Sequence, residues 1–214
     1  MGLPDVRAVL FDMDGTLVDS DAVVDRTWTH WAGEYGIPAA EVLAIAHGSP
    51  AEATIARLRP DLSPDELAAA VARILDLECD DLSDVVPTPG AHELISTLER
   101  LGLPWAVYTS ASNRLAKVRL EAARISPSIL VTLDDVTRGK PDPEGYLRAA
   151  ELLGVPAEQC LVVEDTVVGL AAGRASGATT AGLKGVPADI QLPDLHHLVA
   201  LFLEDGGSTD LSAE

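Results

Sequence analysis

Four short polar clusters along the chain hold, between them, the parts that moving a phosphoryl group requires. They are Asp12-Met13-Asp14-Gly15-Thr16, Thr109-Ser110, Lys140-Pro141 and Glu164-Asp165. The reaction needs a nucleophile, neutralisation of the phosphate oxygens and a proton for the leaving group. Asp12 can attack phosphorus. Asp14, two residues on, is expected to cluster with Asp12 and Asp165; that would raise its pKa and let it hold a proton for a leaving alkoxide and later take one from water. Gly15 lets the chain turn sharply beside the phosphate. Ser110 and Thr109 offer hydroxyl and main-chain donors, and Lys140 supplies a cation. Carboxylates with no His or Cys in the clusters make a hard-oxygen site suited to Mg²⁺. Glu164 reads as a supporting partner rather than a direct ligand.

Each cluster must be positioned by the element before it. Ala8-Val9-Leu10-Phe11 is a continuous apolar run that stops at Asp12, the pattern of a strand buried on both faces. Trp105-Ala106-Val107-Tyr108 stops at Thr109, Ile129-Leu130-Val131-Thr132 leads toward Lys140, and Leu161-Val162-Val163 stops at Glu164. Between the runs lie helical patterns. Leu94, Leu98 and Leu101 end at Gly102, Leu115, Val118, Ala122 and Ile125 form a second stripe, and Leu147, Ala150 and Leu153 follow Pro143 and end at Gly154. Alternating strand and helix predict a doubly wound parallel sheet with its chemistry beyond the carboxyl ends of the strands.

From Asp19 to Val86 the alternation stops and only helical periodicity remains. Val24, Trp28, Trp31 and Tyr35 make one apolar stripe closed by Gly36, a packing face. Ser63-Pro64-Asp65-Glu66 supplies a cap, a first-turn proline and a capping-box glutamate. The expected organisation is a core of residues 1–18 and 87–205, an inserted helical cap of residues 19–86, and a polar tail of residues 206–214.

Composition narrows the partners. The chain has 214 residues, enough for a core with one sizeable insertion, and 47% of them are hydrophobic, which excludes disorder. With 34 acidic residues against 15 basic, the formal charge of -19 repels nucleic acid and anionic membrane surfaces. A small phosphorylated metabolite is the expected partner, and the acidic surface makes a local cation necessary. Cys79 and Cys160 read as structural thiols in a reducing compartment, and no run approaches the length of a membrane span. Val6 stands where a myristoylation signal would want Ser or Thr. A cytoplasmic monomer or weak homodimer is expected.

The four clusters, in this order, resemble the motifs of the haloacid dehalogenase superfamily in its phosphatase branch. The resemblance covers nearly the whole chain, with the helical insertion where that superfamily commonly places its cap. It implies an α/β fold, a Rossmann-like doubly wound parallel sheet with an inserted helical cap. It also implies a phosphoryl-aspartate at Asp12 and Mg²⁺ held by Asp12, the main-chain carbonyl of Asp14, and Asp165. Dehalogenases of the superfamily lack the second aspartate, so Asp14 argues against that activity. The beta-phosphoglucomutase branch typically carries a histidine in its first cap helix and an arginine soon after a short cap motif. Val24 and Ala51 occupy those places here, which favours hydrolysis over mutase chemistry; phosphoglycolate hydrolysis is a further alternative. The paired tryptophans, Glu41-Val42-Leu43-Ala44 and His47-Gly48 look like the phosphatases of sugar and polyol phosphates, including 2-deoxyglucose 6-phosphate, hexitol phosphates and glycerol phosphate. On that likeness His47 would contact a substrate hydroxyl, although a histidine before glycine also serves as a helix-end cation. A phosphoacceptor receiver module would carry its aspartate on a later strand and would lack the insertion. An inactive binding relative would be expected to lose one of Asp12, Asp14, Lys140 or Asp165, and none is lost.

Overall fold

Alternate residues of the first strand point to opposite faces of the sheet and so join two different apolar layers. In the computed structural model, which describes residues 5–206, that strand is β1 (Ala8–Phe11), buried along its length. Val9 and Phe11 pack in one cluster with Leu94, Leu98 and Leu198, whereas Ala8 and Leu10 pack in another with Tyr146, Ala149 and Ala172. Helices thus cover both faces, as a parallel sheet requires.

Along the chain, β1 is followed by β2 (Val18–Asp19) and four helices, α1 (Asp21–Tyr35), α2 (Ala39–Ala46), α3 (Ala51–Leu58) and α4 (Pro64–Asp80). Then come β3 (Val86–Pro87), α5 (Ala91–Leu101), β4 (Trp105–Tyr108), α6 (Asn113–Ala122), β5 (Leu130–Val131) and α7 (Glu144–Leu153). The chain continues through β6 (Cys160–Glu164), α8 (Val167–Ala175), β7 (Thr179–Gly182), β8 (Ile190–Gln191) and α9 (Leu195–Gly206). The main sheet has the order β5-β4-β1-β6-β7-β8, and every pair in it is parallel. The fold is therefore an α/β, Rossmann-like doubly wound sheet. Its strand order reverses beside β1, where such sheets open a crevice at their carboxyl ends.

Helices α1 to α4 bury a third cluster of their own, built on Trp28, Trp31, Val42, Ile55, Ala70 and Ile74. Trp31 is fully buried, stacks on Tyr35 with ring centroids 4.4 Å apart, and donates its indole N–H to the Ala70 carbonyl at 3.2 Å. Ser63 and Glu66 form the reciprocal capping box that starts α4. β2 and β3 pair antiparallel, Val18 with Pro87 and Asp19 with Val86, so the chain enters and leaves this helical segment side by side.

Some details differ from the expectation. β5 is shorter than the run from Ile129 to Thr132, and β7 and β8 have no counterpart in the sequence reading. Residues 1–4 and 207–214 lie outside the described residues, which takes in most of the expected tail; Gly206 ends α9. Among the described residues no helix is long and apolar enough to cross a membrane.

Candidate active site

Three interior strands, β1, β4 and β6, deliver three of the four polar clusters. Asp12 directly follows β1 and donates its main-chain N–H to the Val163 carbonyl of β6 at 3.0 Å, so it lies beside the end of Glu164's strand. The following turn folds back on itself: Leu17 and Val18 donate to the Met13 carbonyl at 2.9 Å each, and Gly15 donates to Val18 at 2.7 Å. Gly15 has φ of 81°, and a Cβ there would lie 2.0 Å from Asp165 Oδ2. Both the left-handed backbone and the close carboxylate require glycine. β4 is followed directly by Thr109 and Ser110, after which Ser112 caps α6 by accepting from the Leu115 N–H.

The Lys140 side chain is buried and donates to Asp12 and, at 2.6 Å, to Glu164 Oε1. Its ammonium sits 5.0 Å from the Tyr108 ring centroid and 5.4 Å from that of Tyr146, over two faces that favour a cation. Burial pulls the lysine pKa down, but Asp12 and Glu164 outweigh burial and hold it above its ordinary value. Lys140 is therefore a permanent cation.

Glu164 is fully enclosed. Its Oε1 accepts from Lys140 and from the Tyr146 hydroxyl at 3.0 Å. Its Oε2 accepts from the main-chain N–H groups of Asp165 and Thr166 at 3.1 Å each and from the Thr166 hydroxyl at 2.9 Å. With its lone pairs engaged in this way, the side chain serves to anchor Lys140. A Cβ on Gly169 would fall 1.6 Å from Glu164 Oε1. Ala improves helix propensity by about 1 kcal/mol, while forced overpacking costs about 1–3 kcal/mol, and here it also dislodges Lys140. Gly169→Ala is therefore expected to lower both the melting temperature and the turnover rate; wild-type values for both would show that Glu164 is free to move.

Asp12, Glu164 and Asp165 bring carboxylate oxygens within 4.8 Å of one another. Among the described residues the cations touching this cluster are Lys140 and Lys184, whose ammonium is 3.1 Å from Asp165 Oδ2. Three carboxylates thus face two ammonium groups. Burial raises the Asp12 pKa well above the carboxylate range; Lys140 offsets this in part, and Glu164 and Asp165 add to it. Burial, reinforced by Glu164 and opposed by Lys184, pushes Asp165 up to about 6. Asp165 Oδ1 is buried without a hydrogen-bond partner. An all-oxygen donor set with surplus negative charge and an orphaned carboxylate oxygen fits a hard divalent cation.

Asp14 does not join this cluster as the sequence suggested. Its Oδ1 accepts from the Ser20 hydroxyl at 2.6 Å and from Arg119 Nη1 at 2.9 Å, because the Gly15 turn carries its side chain toward α6 instead. The sequence reading missed Arg119, Glu78, Lys184 and Ser20. None of them belongs to the four clusters, and Arg119 stands 105 positions from its partner Asp14.

Asp12, Asp14, His47, Thr109, Ser110, Lys140 and Asp165 all line one cavity of 590 Å³, between the strand ends and helices α1 to α4. Val24, Trp28, Val71 and Leu75 supply an apolar wall on the helical side. His47, at the end of α2, has Nε2 2.8 Å from Asp25 and Nδ1 3.6 Å from Asp21. The nearby carboxylates of Asp21 and Asp25 raise its pKa against partial burial.

Residues 6–177 match the family of hydrolases described as haloacid dehalogenase-like. The chain is 39% identical over 184 residues to hexitol phosphatase A of Escherichia coli (strain K12), covering 86% of this chain and 85% of that protein. It is 34% identical over 192 residues to 2-deoxyglucose-6-phosphate phosphatase 1 of Saccharomyces cerevisiae, covering 81% and 78%. A hydrolase of known structure from Pseudomonas syringae superposes with a TM-score of 0.75 at 28% identity, covering 83% of this chain and 84% of the other.

Proposed function

The chain belongs to the haloacid dehalogenase-like hydrolases and is a phosphomonoester hydrolase of that family, and from this we propose that it acts on the phosphate esters of neutral sugars or polyols through Asp12. The observation that carries the reading is the placement of Asp12 at the tip of a central strand, held by Lys140, at the base of a cavity walled by the inserted helices. We take residues 19–86 as a cap over a core of residues 1–18 and 87–205.

In this reading one carboxylate oxygen of Asp12 attacks phosphorus while the bond from phosphorus to the leaving oxygen breaks, and Asp14 gives that oxygen its proton. Asp14 then takes a proton from water as the water oxygen attacks the phosphoryl-aspartate, and inorganic phosphate leaves with Asp12 restored. Lys140, Ser110 and Thr109 bind the phosphoryl oxygens, and Glu164 keeps Lys140 in place. Asp12, Asp165 and the main-chain carbonyl of Asp14 would hold Mg²⁺, which supplies the positive charge that a phosphate dianion needs beside these carboxylates. Seating of the cap excludes bulk water during the first transfer. For His47 we keep a role at the leaving group: its looser contact, to Asp21, is the one a substrate hydroxyl would replace.

Charge favours a neutral leaving group. Among the described residues, each cation lining the cavity already faces carboxylates: Lys140 faces Asp12 and Glu164, Lys184 faces Asp21 and Asp165, Arg119 faces Asp14 and Glu78, and His47 faces Asp21 and Asp25. A glycolate carboxylate or a second phosphate would need a cation of its own, and Val24 and Ala51 offer none. The two free thiols, Cys79 and Cys160, suit a reducing compartment, and we place the protein in the cytoplasm as a monomer or weak homodimer.

Phosphate release from a panel of hexitol, deoxyhexose and glycerol phosphates and phosphoglycolate tests this reading. The polyol and sugar esters are expected to turn over with Mg²⁺ and to stop with a chelator; preference for phosphoglycolate would refute the charge argument. Metal binding has a second readout. Asp165 titrates near 6 in the folded chain, above the ordinary aspartate value of 3.8, so its ionisation opposes folding once the pH passes that range. Mg²⁺ relieves that repulsion, so the rise in melting temperature on adding Mg²⁺ should be larger at about pH 7.5 than at about pH 5. Equal rises at both would place the metal away from Asp165.

A further inference from the structure

Arg119 sits where an apolar residue would ordinarily be. On α6 it lies beside Leu115, Ala116 and Leu120, the buried face of the helix, and only 3% of its surface is exposed. A guanidinium taken out of water costs several kcal/mol unless it is paired with good geometry, and well-packed apolar residues often replace such groups without loss of stability. Folding alone therefore does not call for an arginine here.

Its partners come from the two parts of the molecule. Nη1 donates to Asp14 Oδ1 at 2.9 Å, and Nη2 donates to Glu78 Oε1 at 3.0 Å. Asp14 belongs to the turn after β1, whereas Glu78 lies on α4, among the helices of the insertion, and is itself buried. All three side chains line the cavity. The planar fork of arginine can hold two carboxylates at once in fixed directions, which the point charge of a lysine does less well. Ser20 donates to the same Asp14 oxygen that Arg119 holds. Asp14 Oδ1 is thus pinned by two donors, and the guanidinium that pins it is braced from the insertion side.

We propose that Arg119 is a positioning residue that aligns the Asp14 carboxyl with the leaving-group oxygen, and that Glu78 completes the alignment only when α4 is seated on the core. The proposal rests on the assignment of Asp14 as the proton donor. It makes protonation of the leaving group depend on the insertion, through contacts that touch neither the phosphoryl group nor Asp12.

The experiment measures kcat/KM for aryl phosphates graded from phenyl to 2,4-dinitrophenyl phosphate. These esters carry no sugar hydroxyls, and they differ in how much the departing oxygen needs a proton. kcat/KM reports the steps through transfer onto Asp12, before the common hydrolysis. Because Arg119 removed alone would leave Glu78 buried and unpaired, the main variant is Arg119→Met with Glu78→Met, which removes both charges. It is expected to lose about a hundredfold on phenyl phosphate and less than about threefold on the dinitrophenyl ester, the size of effect that general acid catalysis supplies. Glu78→Gln, which keeps Arg119, should lose about tenfold on phenyl phosphate with the same selectivity.

Equal losses on both esters, or none on either, would overturn the positioning role. Wild-type values for Glu78→Gln would overturn the share given to the insertion. Asp14→Asn, assayed alongside, separates the two levels of the reading. If Asp14→Asn shows no dependence on the leaving group, the proton-donor assignment itself has failed. If it is selective while the double variant is not, only the role of Arg119 has failed.

Discussion

Asp12→Asn is expected to abolish turnover, lowering kcat by about 10⁵- to 10⁶-fold, the loss that follows removal of a nucleophile from a covalent mechanism. The amide has the shape of the carboxyl group but no charge with which to attack phosphorus. Stability should move the other way, or not at all. Burial raises the Asp12 pKa, so above the ordinary aspartate range the folded state holds this carboxylate at a cost that the unfolded chain does not bear. An asparagine removes that cost, and the metal-free variant should melt at or above the wild-type temperature near neutral pH. A beryllium fluoride complex of the wild type should show the adduct joined to Asp12. Retention of activity, or an adduct on another residue, would place the nucleophile elsewhere.

Lys140→Met is expected to damage fold and function together. The lysine bridges Asp12 and Glu164 in a space closed to water, and removing one partner of a buried ion pair typically costs about 3–5 kcal/mol because the remaining charges stay buried. Methionine fills much of the volume, so the loss would be electrostatic rather than a cavity effect. The denaturant midpoint should fall sharply at neutral pH and recover in part toward acid, where Asp12, already raised by burial, takes up a proton. Phosphate release should fall in parallel, since the ammonium that meets the phosphoryl oxygens is gone. A midpoint equal to wild type across this pH range would show that Asp12 and Glu164 do not depend on Lys140.

Much of the fold could be read along the chain because the interior strands advertise themselves. β1, β4 and β6 are runs of apolar residues, and a strand covered on both faces has no polar alternation to obscure it. Helix ends at Gly36, Gly102 and Gly154 were equally plain, since each takes the left-handed conformation that closes a helix, with φ of 67°, 67° and 71°. β7 was missed. Its residues Thr179-Thr180-Ala181-Gly182 carry little apolar surface, and Thr180 is held in place by its hydroxyl bond to Asp189 at 2.7 Å. β5 and β8 are two residues each, which pairing with a neighbouring strand defines better than composition does.

What the sequence determined by itself is the set of groups at the strand ends. A strand buried on both faces shows as an apolar run that gives way to polar residues at its end, so the order of residues alone puts Asp12, Thr109 and Glu164 at one edge of the sheet. Which of these groups touch was decided by the tertiary structure alone. The Gly15 turn sends the Asp14 side chain away from Asp12 and toward Ser20 and Arg119, an outcome that depends on where α6 lies. Glu78 reaches the same arginine from 41 positions away, and Lys184 spans 163 positions to meet Asp21. Ion pairs at such separations leave no periodic mark in the chain. Their energy is set by distance and burial, and both exist only after the strands, the helices and the insertion have packed.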